Sequence, residues 1–182
     1  MTRLTVVSTC LILISLMLAG VSFARIDPET CVGLWLFDEG KGDTTKDSSG
    51  NGNNGTLISK PKWVKGQFGN ALEFDGSSNF VQVPPADSLT MTKEITVAFW
   101  FRTGKKMGVF EDRQAVVGKH YLEYEVGIYP SGGVHTYTSD GAGNYDEGIN
   151  CSIAGKLPEG DWILDKWYHL AWTLIGLKQL NK

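Results

Sequence analysis

The stretch ALEFDGSSNFVQVP, from Ala71 to Pro84, decides how this chain is read. Leu72 and Phe74 alternate with Glu73, so apolar and polar side chains leave opposite faces of an extended segment. Asp75, Gly76, Ser77, Ser78 and Asn79 follow, a run of turn formers. Val81 and Val83 then share one face, Phe80 and Gln82 the other, and Pro84 stops the segment. Period-two alternation on both sides of a glycine-containing loop predicts a β-hairpin. A lone hairpin leaves its apolar faces in water, so the rest of the chain must supply a second sheet.

Toward the N-terminus, Trp63 to Phe68 and Thr56 to Ile58 read as short strands, the first interrupted by Gly66 and ended by Gly69. Asp38 to Gly55 holds no apolar side chain and reads as a long turn-rich loop too polar to pack. Cys31 to Phe37, CVGLWLF, is a β-prone run of the kind buried on both faces.

Toward the C-terminus, Pro84 to Thr92 connects to ITVAFWFR, Ile95 to Arg102, the most apolar strand. Ile95, Val97, Phe99 and Phe101 occupy one face, Thr96, Ala98 and Trp100 the other, and both faces are expected to be covered. Ala115 to Gly118, Tyr121 to Tyr129 and Val134 to Thr138 read as further strands. An acidic, glycine-rich loop from Ser139 to Gly148 follows. WYHLAWTL, Trp167 to Leu174, closes the series with Tyr168, Leu170, Trp172 and Leu174 on one face. No stretch beyond the N-terminal apolar segment keeps a helical period. The pattern predicts an all-β, two-sheet antiparallel sandwich of jelly-roll type.

Met1 to Ala24 is set apart from the fold. Arg3 precedes the apolar run Leu4 to Leu18, and Ser22 and Ala24 put small residues where a signal peptidase reads, so cleavage is expected after Ala24. The run is short for a membrane span. Residues 25–182 then form one domain. The chain has 17 basic against 20 acidic residues, a balance that attracts neither nucleic acid nor an anionic membrane surface. Cys10 leaves with the signal, and Cys31 and Cys151 permit one disulfide or stand as two separate thiols.

Four motifs, in order, carry a resemblance. GLWLFDEGKGDTTKDSSGNGNNGTL, GQFGNALEFDGSSNFVQVP, ITVAFWFR and WYHLAWTL, spanning Gly33 to Leu174, resemble the LamG-like (laminin G-like, concanavalin A-like) jelly-roll domains of exported bacterial proteins. The resemblance implies a jelly-roll sandwich acting as a binding or adhesion module. It also implies a structural calcium near the Phe-Asp-Gly turn, with Asp75, Gly76 and Asp38 at the matching positions. The family continues past its Trp-x-His strand with further strands and a last strand bearing an Asp, whereas this chain reads IGLKQLNK. It is therefore expected to be an incomplete copy of the pattern, with an exposed sheet edge and marginal solubility.

Candidate chemistry is sparse. Glu123 and Glu125 are two apart on a strand, which sets them about 7 Å apart on one face, the arrangement of paired carboxylates in jelly-roll glycosidases. The related glucanase pattern, Glu-x-Asp-x-x-Glu, is broken: Ile128 stands where its last Glu belongs, and both acids read instead as solvent-facing. Asp47-x-Ser49-x-Asn51-Gly52 begins like a calcium loop, but Ile58 holds the twelfth position, so turn formation is the better reading. His120, His135 and His169 have no metal-ligand spacing and read as structural. For a glycan, an exposed aromatic beside polar groups is required, and Tyr137, Asn144, Tyr145, Asp146 and Trp162 lie in or beside loops. The same Trp and Tyr residues equally suit the interior or its ends. The expectation is an exported, non-catalytic module for carbohydrate or a cell-surface protein. The alternatives are a glycoside-active enzyme of the same fold and a truncated product without independent function.

Overall fold

The computed structural model describes residues 27–90, 94–104, 114–119, 123–129, 133–139, 145–146 and 162–175. The predicted signal segment, Asn144 and Cys151 lie outside them. The chain divides into two units, Met1–Cys31 and Val32–Lys182. Of the first, residues 27–31 form one 3-10 turn, Pro28–Thr30, started by Pro at its first position and capped by Asp27, whose side chain accepts from Glu29 N.

The second unit is built of strands: β1 (Thr44–Thr45), β2 (Gly55–Ile58), β3 (Lys62–Lys65), β4 (Asn70–Glu73), β5 (Phe80–Gln82), β6 (Glu94–Arg102), β7 (Gln114–Gly118), β8 (Tyr124–Ile128), β9 (Val134–Ser139), β10 (Tyr145–Asp146) and β11 (Trp167–Ile175). They pair antiparallel in the orders β1-β2-β5, β3-β4, β10-β9-β8-β7 and β11-β6. The chain is all-β, as the alternation predicts. Among the described residues no helix is long and apolar enough to cross a membrane.

The segment around Asp75 turns as expected but is not a hairpin. β4 pairs with β3, setting Trp63 opposite Leu72, and β5 pairs with β2, setting Leu57 opposite Val81. The turn therefore joins two sheets. Alternation fixes which side chains share a face, not which neighbour completes the hydrogen bonds. The β3–β4 pairing is closed by a tight turn in which Gly66 N donates to Gly69 O at 3.0 Å. A Cβ at Gly66 would sit 2.7 Å from the carbonyl oxygen of Asn70, so glycine is required there.

Two further expectations are corrected. CVGLWLF is not a doubly buried strand: Val32, Leu34 and Leu36 are exposed, and only Trp35 forms a bridge, to Asp47. The loop after it does pack, because its polar groups bond to one another. The buried Asp47 carboxylate accepts from Leu34 N and Ser49 N through Oδ1 and from Ser49 Oγ and Asn53 N through Oδ2, all at 2.8–2.9 Å. Asn53 in turn donates to Val32 O and Ser88 Oγ, and Trp35 Nε1 donates to Asn53 O. Side chains thus replace the ladder that a strand partner would have supplied. Burial alone would push the Asp47 carboxyl up, but the bonds from Ser49, Leu34 and Asn53 outweigh it and hold it below the ordinary 3.8.

The core lies between β8–β9 and β6–β11. Val126, Ile128, Val134, Trp162 and Leu170 are buried together, with Val97, Phe99, Phe101, Tyr168 and Trp172 packed on them. β6 buries one face, not two. Glu94, Thr96, Ala98, Trp100 and Arg102 on its other face are exposed. β8 is the strand buried on both faces, since Glu125 and Gly127 are covered as well as Val126 and Ile128.

Candidate functional site

The exposed outer face of β6–β11 is the most chemically distinctive surface among the described residues. Antiparallel register sets Arg102 opposite Trp167, Trp100 opposite His169, Ala98 opposite Ala171 and Thr96 opposite Thr173. Directly opposed residues project from the same face, so these four pairs form one ladder. Trp100 and His169 lie ring against ring, centroids 5.0 Å apart at 46°. The Arg102 guanidinium sits over the Trp167 ring, 5.3 Å from its centroid. The Thr96 and Thr173 hydroxyls bond each other at 3.0 Å. Ala98 and Ala171 leave a low floor between the aromatic and hydroxyl ends.

Phe68 extends this face. It projects from the β3–β4 turn between Gly66 and Gly69, and Gly69 adopts φ +59°. Its ring meets Trp100 edge-on, centroids 5.5 Å apart at 80°. Phe68 is 69% exposed and Trp100 44%, which is unusual for large aromatics and leaves ring faces in water. Sequence reasoning assigned none of these residues to a site. The available signal was the alternation of Thr96, Ala98, Trp100 and Arg102, small or polar except for one Trp, against Ile95, Val97, Phe99 and Phe101.

The residues expected to bind a glycan fall on three segments where they are described. Tyr137 lies on β9, in register with Glu125, and Tyr145 and Asp146 lie on β10, opposite Ser139 and Thr138. Trp162 belongs to the core instead. It is 7% exposed, its Nε1 donates to Tyr129 O at 2.9 Å, and its ring abuts Phe101 and Tyr168. A ring so enclosed offers no open platform for a sugar. Of the disulfide candidates, Cys31 is half-buried.

The two carboxylates expected to point to solvent have separate partners. Glu123 Oε1 accepts from Lys119 Nζ at 2.7 Å. Burial, and then the Glu123 charge, pushes the Tyr124 hydroxyl above its ordinary 10.0. Glu125 is 1% exposed, and its Oε1 lies 2.9 Å from Nε2 of His135, also 1% exposed. His135 stands over Gly127, with Tyr129 on its ring at 5.0 Å. The expectation of a solvent-facing Glu125 fails because β8 is covered on its second face.

Of the positions expected to hold calcium, Asp75 is engaged with its own turn. Asp75 Oδ1 accepts from Ser77, Ser78 and Asn79 N, Oδ2 from Ser78 Oγ, and Asn79 Oδ1 accepts from Asp75 N. These bonds, the backbone ones from Ser78 and Ser77 foremost, hold the Asp75 carboxyl down at about 2. Asp38 O accepts from Asn70 Nδ2, and Gly76 supplies the turn's positive φ, +70°. Calcium requires six to eight converging oxygens, and no group of three His, Cys, Asp or Glu able to hold a metal occurs among the described residues. Asp47 likewise has each oxygen filled by two donors, which makes its segment a turn.

No family model and no curated protein matches this chain. Among solved structures it is similar to the binding domain of Paraclostridial Mosquitocidal Protein 1, with TM-score 0.64 and 18% identity over 83% of this chain and 37% of that one. It is also similar to an S-layer domain-containing protein (residues 221–444) from Clostridium thermocellum ATCC 27405, with TM-score 0.50 and 22% identity over 71% of this chain and 60% of that one. The chain thus spans about a third and three fifths of these relatives' lengths. At such identities the likeness shows the fold: an all-β chain of antiparallel sheets.

Proposed function

We propose that this chain is an exported, non-catalytic binding module that engages carbohydrate at a cell surface through the outer face of β6–β11. The observation that carries the reading is the solvent-exposed aromatic group of Phe68, Trp100 and His169 beside Arg102 and the Thr96–Thr173 pair. Sugar C–H faces stack on such rings, while hydroxyls need adjacent donors and acceptors. Similarity to chains described as a binding domain and as an S-layer domain-containing protein supports a role at a cell surface. The signal-like start at Met1 to Ala24 supports export, and the four LamG-like motifs support a jelly-roll arrangement of the sheets. The absence of catalysis is supported by the partners of Glu123 and Glu125, each engaged with a basic side chain rather than with the other.

Glycan-array binding followed by co-sedimentation with the insoluble ligand tests this. Trp100→Ala and Phe68→Ala should each weaken retention about tenfold, the scale of one lost aromatic contact. Unchanged retention in both variants, or no glycan bound by the parent chain, would overturn the reading.

A further inference from the structure

We infer that the ligand of this face carries an oxyanion, a carboxylate, sulfate or phosphate on the sugar, held by Arg102. This rests on the reading that the outer face of β6–β11 is the glycan site.

The inference comes from a count of donors and acceptors. Arg102 offers five N–H donors, yet among the described residues its guanidinium makes only the stacking contact with Trp167. The indole N–H groups of Trp100 and Trp167 donate to nothing among those residues. By contrast, Trp35, Trp63 and Trp162 donate to Asn53 O, Gly42 O and Tyr129 O. The His169 ring lies against the Trp100 ring. Near Arg102 the ladder offers few acceptors: Ala98 and Ala171 have none, and the Thr96 and Thr173 hydroxyls, which keep free lone pairs, lie toward its far end. Glu94, the acid of this ladder, lies at the end opposite Arg102.

A surface of unmatched N–H donors and ring faces is complementary to a ligand that is apolar on one side and rich in acceptors at its edge. A neutral sugar meets the rings and accepts single bonds from the guanidinium through its hydroxyls, but brings it no opposite charge. An oxyanion meets it with two parallel bonds, because the planar fork fits a carboxylate, sulfate or phosphate edge. Stacking on Trp167 holds that fork in place before the ligand arrives. The chain as a whole is acidic, net −3, so this cationic end is a local feature against the general field.

Affinity electrophoresis of the purified chain through gels containing polygalacturonate, its methyl ester, dextran sulfate or neutral dextran tests the inference. Polygalacturonate, dextran sulfate or both should retard the chain at least about tenfold more strongly than their neutral counterparts, and which one does so assigns the anion. Arg102→Gln should erase that difference, and Arg102→Lys, which keeps the charge and loses the fork, should restore only part of it. Melting temperatures of both variants should match the parent, since Arg102 is exposed. Equal retardation by charged and neutral polymers, or full retention by Arg102→Gln, overturns the oxyanion while leaving the glycan reading intact. No retardation by any polymer overturns the inference, and with a blank glycan array it removes the glycan reading too. A dimer in solution that Trp100→Ala dissociates would show a second copy on this face and overturn both.

Discussion

Phe68 stands edge-on to Trp100, at 5.5 Å and 80°, although one comes from the β3–β4 turn and the other from the middle of β6. The pair therefore links two sheets on the outside of the molecule. Because Phe68 is 69% exposed and Trp100 44%, the contact adds little to folding. Phe68→Ala should lower stability by under about 1 kcal/mol in urea unfolding. A loss of several kcal/mol would mean that the pair holds the sheets together and is not poised for a ligand.

The loop between Asp38 and Gly55 depends on one carboxylate. Asp47→Ala removes the acceptor of four hydrogen bonds in a buried site and should cost about 2–4 kcal/mol. Its folded pKa lies below the ordinary 3.8, so its contribution is present above that value and is lost as pH falls through the lower, folded one. Urea midpoints of Asp47→Ala should accordingly differ from the parent at pH 7 and converge with it in strong acid. A gap that does not narrow at any acid pH would contradict this.

Trp162 is a test of interior against surface. Trp162→Ala should cost about 3–5 kcal/mol, as expected for an aromatic side chain removed from a packed core. Trp162→Phe should fold and should bind glycan as the parent does. Weakened binding by a well-folded Trp162→Phe would return this residue to the ligand site.

The Glu125–His135 pair is buried on both sides of its hydrogen bond. Removing one member leaves the other in a dry site, so Glu125→Ala should cost about 3–5 kcal/mol. Glu125→Gln, which can still meet the ring nitrogen, should cost clearly less in chemical denaturation. Equal costs would show that size, not bonding, matters at this position.

Asp75 is committed to its own turn. Its carboxyl titrates at about 2, so the capped turn is fully formed above the ordinary 3.8 and is lost as pH falls through about 2. An NMR titration should place this group lowest among the exposed carboxylates. Millimolar calcium should neither move its signal nor raise the melting temperature; a shift in either would restore the ion that the resemblance implies.

Much of the fold was legible from local pattern. Alternation in ITVAFWFR and WYHLAWTL correctly placed Val97, Phe99 and Phe101 on one face and Tyr168, Leu170 and Trp172 on another, because side chains on a strand alternate whatever the strand pairs with. The turn at Asp75 was equally legible, since its hydrogen bonds are made by Asp75, Ser77, Ser78 and Asn79 themselves. The site was less so. Trp162 and Trp100 are the same residue type, and their environments differ only through distant segments.

The amino-acid sequence by itself determined that this is an all-β chain, where its turns fall and which residues share each strand face. These are matters of single-residue geometry and neighbouring side chains. Only the tertiary structure decided that β4 and β5 pair with different partners, that Glu125 is enclosed with His135 while Trp100 stays in water, and that Phe68 meets Trp100. Coverage of a face and choice of a sheet neighbour depend on residues far apart in the chain, and no local pattern carries that information.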